Sequence, residues 1–142
     1  MRKSIIAGNW KMHKSPAETK AFFKELLSQN VSSDVRILLA VPFLDIVDAL
    51  IATEGSAIEI GAQTLSEHSC GAYTGEVAGS MLKEAGVSFV LIGHSERRTH
   101  FQETKELLGR LLVCKDMPQN YRELTKQRFE ALKNNKSLHA IF

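Results

Sequence analysis

Cysteine is scarce in this chain: Cys70 and Cys114 are the only two in 142 residues, and they lie far apart. That excludes a disulfide framework and fits a reducing, cytoplasmic setting. Long apolar runs are lacking too. No stretch approaches the roughly 18–20 residues that a membrane span requires, and the apolar part of Met1–Asn9 is too short for a signal peptide. Excess charge is also missing. The formal net charge is +2, which implies neither a nucleic-acid partner nor a membrane surface. No Gly-x-Gly-x-x-Gly follows the first apolar run, and no Walker sequence occurs, so the common nucleotide-binding signatures are absent.

What is present suits one domain with a sizeable core. Hydrophobic residues make up 44% of the chain and charged residues 24%, an ordinary globular balance. The charge is unevenly spread. Residues 1–109 carry 11 basic and 13 acidic side chains, whereas 110–142 carry 7 and 3, so the C-terminal quarter differs in kind.

Apolar runs and helical periodicity alternate along the chain. Ser4–Gly8, Val35–Val41, Ala57–Ala62 and Val87–Ile92 read as buried strands. Ser15-Pro16-Ala17-Glu18 opens a helix, with Ser15 as N-cap, Pro16 at the first helical position and Glu18 completing a capping box. Phe22, Phe23, Leu26 and Leu27 follow at helical spacing. Phe43–Thr53 is expected to be a helix with Leu44, Val47, Leu50 and Ile51 inward, and Gly79–Ala85 a short helix closed by Gly86. Glu103–Leu112 can be helical, Gln119–Asn134 can form an amphipathic helix, and Leu138–Phe142 could open a further strand. Four strand–helix alternations imply parallel βαβ units, in either a doubly wound sheet or a (β/α)8 barrel. The long polar loop Thr64–Glu76 is of a kind that tends to carry function.

In a parallel α/β fold the carboxyl ends of the strands hold the chemistry. Just past them stand Asn9-Trp10-Lys11, Pro42-Phe43, Gln63 and His94-Ser95-Glu96. A Lys and a His with amide donors from Asn9 and Gln63 suit an oxyanion such as an enolate or a phosphate. Arg97 and Arg98 read as ion-pair residues. His68 and Cys70 lack the further ligands of a zinc site, so no metal is expected.

Four segments carry a resemblance: Ala7-Gly8-Asn9-Trp10-Lys11-Met12, Gly61-Ala62-Gln63, Gly71-Ala72-Tyr73-Thr74-Gly75-Glu76-Val77 and Ile92-Gly93-His94-Ser95-Glu96-Arg97-Arg98. In order and spacing they resemble the triosephosphate isomerase family over about residues 1–108. The resemblance implies the TIM (β/α)8-barrel lineage of the α/β class, here a partial barrel of about four βα units, followed by a divergent basic, helical tail over 109–142. It implies a cofactor-free interconversion of glyceraldehyde 3-phosphate and dihydroxyacetone phosphate, a step of glycolysis and gluconeogenesis. Asn9 and Lys11 would bind this small phosphorylated substrate, and Lys11 would supply positive potential. His94 would be the electrophile. The family is itself the standard example of a neutral histidine beside a glutamate base. Ser95 and Glu96 would support the site, Glu96 by orienting Lys11. Tyr73, Thr74 and Gly75 would form the loop that inserts into a second subunit, implying a homodimer.

The pattern departs from the family after Leu108. A (β/α)8 barrel takes about 250 residues. No segment here resembles the family's Tyr-Glu-Pro-Val-Trp, so no glutamate is assignable as catalytic base, and the lid and Gly-Gly phosphate loop are also missing. The expectation is little or no isomerase activity from these 142 residues alone. The alternative is a non-catalytic fragment or interaction subunit that docks on an intact isomerase. Two origins fit the tail: a truncated or frame-disrupted product, which the charge shift favours, and a genuine half-barrel variant.

Overall fold

The computed structural model describes residues 4–29, 32 and 34–107. The expectations for the tail, including the helix at 119–134 and the strand at 138–142, lie outside the described residues, as does the part of the expected 103–112 helix beyond Leu107. The described residues form two compact units. One runs to Gln63 and includes Ala85–Leu91; the other comprises Thr64–Glu84 and the described residues from Ile92 onward.

The first unit is a parallel sheet with helices on it. Strands β1 (Ser4–Asn9), β2 (Val35–Val41), β3 (Ile58–Ala62) and β4 (Phe89–Val90) pair in sequential order, β1-β2-β3-β4. All pairings are parallel, with Asn9 opposite Ala40, Ala40 opposite Gly61, and Ala62 opposite Val90. A doubly wound sheet reverses its strand order at a switch point. Here each strand adds to the same side of the last, as in a partial α/β TIM barrel.

Helix α1 (Pro16–Ser28) begins as its sequence dictates. Ser15 is the N-cap in extended conformation, Pro16 leads the first turn, and the capping box with Glu18 is complete. Phe23 is fully buried, while Leu27 is exposed. Trp10 packs against Phe22 and Phe23, with ring centroids 5.1 and 5.6 Å away. Alternate residues of β2, namely Ile37, Leu39 and Val41, are buried, as are Ile60 and Ala62 of β3. Each large apolar side chain buried in this way contributes about 1.5–3 kcal/mol.

Two expectations need correction. The helix expected over Phe43–Thr53 is a 3-10 turn at Phe43–Asp45 followed by α2 (Ile46–Ala52). It buries Asp45, Ile46, Ala49 and Thr53, while Leu44, Val47 and Ile51 are exposed. The tighter opening turn shifts the helical phase. Only Leu50 of the expected face is half-buried. The fourth strand is likewise shorter than the run Val87–Ile92. Its ladder is flanked by Ser88 N–H to Ile60 C=O and Leu91 N–H to Ala62 C=O, both 2.8 Å. Beyond Leu91 the partner strand β3 has ended.

The second unit contains the loop from Thr64, helix α3 (Gly79–Ala85, whose last residue belongs to the first unit) and helix α4 (Ser95–His100). The loop neck is closed by a parallel bridge between Ser66 and Ala78, with Ser66 N–H donating to Val77 C=O at 2.8 Å.

Candidate active site

In the first unit, the residues past β1 and β3 converge. Gln63 Nε2 donates to Lys11 C=O at 2.8 Å, Asn9 Oδ1 at 3.2 Å and Ala40 C=O at 3.3 Å. Lys11 N–H donates to the same Asn9 Oδ1 at 3.0 Å. Gln63 was expected to offer its amide to a ligand. Instead the amide is used within the protein, tying together the ends of three strands. Asn9 Oδ1 is doubly engaged, which orients the side chain and leaves Nδ2 as its donor group. Lys11 has φ 54, a left-handed conformation uncommon for a residue with a side chain. The Gln63 bond to its carbonyl and the Asn9 bond to its N–H hold that conformation from both ends, and its side chain is exposed.

In the second unit, Gly93 at φ 69 turns the chain out of β4. His94 follows as the N-cap of α4. Its Nδ1 accepts the Glu96 N–H at 3.2 Å, and its side chain is 8% exposed. An accepting Nδ1 carries no proton, so the ring's proton sits on Nε2. His94 is therefore set up to donate from Nε2. Glu96 Oε2 lies 3.6 Å from Nδ1. Ser95, the first residue of α4, is exposed. The residue pattern alone had not placed a helix over Ser95–His100. Arg97 is an ion-pair residue, as expected: its Nε donates to Glu103 Oε1. Glu103, which is buried, was not singled out in the sequence. Its separation of six from Arg97 is not a helical spacing, so no periodic signal marks the pair.

Thr74 and Gly75 form an exposed turn, spanned by Glu76 N–H to Tyr73 C=O at 3.0 Å. The Tyr73 ring stacks on His68, with centroids 3.9 Å apart and planes within 5°.

A family model, that of triosephosphate isomerase, matches residues 4–114 of this chain. The chain belongs to the triosephosphate isomerase family. It is 48% identical over 110 residues to the triosephosphate isomerase of Alkaliphilus metalliredigens, covering 78% of this chain and 44% of that protein. It is 50% identical over 107 residues to that of Solibacter usitatus, covering 75% and 43%. With a Synechococcus sp. triosephosphate isomerase it shares 46% identity over 120 residues, covering 80% and 47%. The chain thus spans a little under half the length of the curated triosephosphate isomerases it matches. Among the described residues, no helix is long and apolar enough to cross a membrane.

Proposed function

We propose that this chain carries the electrophile and part of the substrate-binding machinery of the triosephosphate isomerase reaction, in the cytoplasm and without metal or cofactor. The observation that carries this reading is the His94 Nδ1 bond to Glu96 N–H. It fixes the tautomer that donates from Nε2 to a carbonyl oxygen. In the interconversion of glyceraldehyde 3-phosphate and dihydroxyacetone phosphate, a base removes a proton from the carbon beside the carbonyl. Negative charge then builds on the oxygen, and a donor held in place before the reaction stabilises it without reorganisation. His94 Nε2–H is that donor, and it relays protons between the two enediolate oxygens. Asn9 Nδ2 donates to the substrate, and the Lys11 ammonium supplies positive potential for the phosphodianion. Ser95 and Glu96 support the site. The base is not assigned to any residue of this chain, so the 142 residues by themselves turn over little or no substrate.

A coupled assay on the purified chain tests this. Turnover at background is expected, together with measurable binding of dihydroxyacetone phosphate by 31P NMR that Lys11→Ala weakens. Turnover near that of a full-length enzyme, abolished by His94→Gln, would show that a base is present. Dihydroxyacetone phosphate binding equally well to the Lys11→Ala variant would remove the substrate assignment.

A second reading is favoured by the ordered loop, whose tip is exposed while its neck is bridged. In it, Tyr73, Thr74 and Gly75 dock on another subunit, either a second copy in a homodimer or an intact isomerase for which this chain is a non-catalytic partner. Co-purification with a full-length isomerase, lost on replacing Thr74 by Arg, is expected. A strictly monomeric chain that captures no isomerase would exclude it.

A further inference from the structure

His94 Nδ1 accepts the backbone N–H of Glu96, in the first turn of α4. Helix α4 has only six residues, too few to be stable by its own hydrogen bonds. Its far end is buckled. Arg97 C=O accepts two N–H groups from beyond the helix, Phe101 at 2.9 Å and Glu103 at 3.4 Å. Gln102, at φ 53, reverses the chain between them. The side chains close the same ring: Arg97 Nε donates to Glu103 Oε1, and the guanidinium lies 4.7 Å from the Phe101 ring centroid. Glu103 is 7% exposed. Its second oxygen is buried without a hydrogen-bond partner among the described residues, so Arg97 is the principal compensation for a carboxylate that is costly to bury.

From this we infer that Glu103 is a positioning residue for His94, acting through Arg97 and α4. Resting on the reading of His94 as electrophile, the inference assigns the Arg97–Glu103 pair the task of keeping the first turn of α4 formed. The Glu96 N–H then stays on Nδ1 and the proton stays on Nε2. Arg97 is three residues from His94, on the same side of the helix, so a tether on Arg97 acts directly on the turn that orients the ring.

The test uses the 15N-labelled 142-residue chain. In Glu103→Gln, the Glu96 amide is expected to exchange with solvent about tenfold faster or more, the scale set by loss of one charge-assisted hydrogen bond. The His94 ring nitrogens are expected to move toward a mixture of tautomers, while amides of β2 and β3 keep their rates. Glu103→Asp, which retains the charge on a shorter arm, restores part of the Glu96 protection. Unchanged Glu96 exchange and an unchanged ring spectrum would overturn the inference, as would a uniform acceleration of all amides. Should Glu103→Gln fail to fold, Arg97→Lys, which keeps the cation and loses the planar fork, is judged by the same criteria. Failure of the functional reading shows separately, as absence of dihydroxyacetone phosphate binding in the unmutated chain, and leaves the Glu96 exchange result intact.

Discussion

Gly61 lies directly under the ring of Phe89. A Cβ at Gly61 would sit 2.3 Å from Phe89 Cζ and within 2.6 Å of both Cε atoms. The two residues are register partners across β3 and β4, so the ring fills the space that a side chain on the neighbouring strand would take. Gly61→Ala should therefore force Phe89 from its place or part the two strands, at a cost of about 1–3 kcal/mol as for other overpacked cores. Urea unfolding measures the loss. Adding Phe89→Leu to Gly61→Ala should recover part of it, because the three nearest atoms to the new Cβ are all in the ring.

The start of α1 gives a pH-dependent expectation. Ser15 Oγ and Ser15 N–H both donate to Glu18 Oε2 at 2.8 Å. The hydroxyl bond first, and the backbone bond after it, hold the Glu18 carboxyl below its usual value. A carboxylate whose pKa is lower folded than unfolded stabilises the fold fully above the unfolded value, and loses that contribution as pH falls through the folded value. Ser15→Ala should raise the Glu18 midpoint, read from its side-chain carboxyl shift by NMR, and flatten this part of the acid limb. At neutral pH the lost N-cap costs about 1 kcal/mol.

The capping box was legible because it is local: four consecutive residues determine it. The phase of α2 was not. Its apolar residues fall on two faces, and the sequence offers no reason to prefer the smaller one. The fold buries the face with Ala49, and Leu44, Val47 and Ile51 are left outside. This ordering is measurable. Ile51, 68% exposed, should tolerate Ile51→Lys within about 0.5 kcal/mol. Ala49, fully buried, should not accept Ala49→Leu, which would cost about 1–3 kcal/mol. The reverse order would mean that the expected face is the buried one after all.

The candidate site shows the same division. Asn9, Lys11 and His94 stand out in the sequence because they are polar groups at the ends of apolar runs. Some of the bonds around them left no periodic trace. Gln63 reaches Lys11 across 52 residues of chain, and Glu103 pairs with Arg97 at a spacing that matches neither helix nor strand. The candidate groups were thus easier to find than the side chains that bond around them.

The loop 64–76 carries its own support, and that support can be removed without touching the sheet. His68 and Tyr73 stack nearly parallel, 3.9 Å between centroids, on a loop whose neck is bridged from Ser66 to Ala78. Gly71 at φ 128 and Gly75 at φ 92 take backbone conformations that other residues resist. An aromatic pair of this kind contributes about 0.5–1.5 kcal/mol beyond its buried area. His68→Ala should release the tip, seen as faster proteolytic cleavage and faster amide exchange between Gly71 and Gly75, with the urea midpoint of the sheet nearly unchanged. His68→Phe should keep the slow rates, because it replaces one flat ring by another. If Ala and Phe at this position behave alike, the stack plays no part in shaping the loop, and the glycine turns with the Ser66–Ala78 bridge suffice.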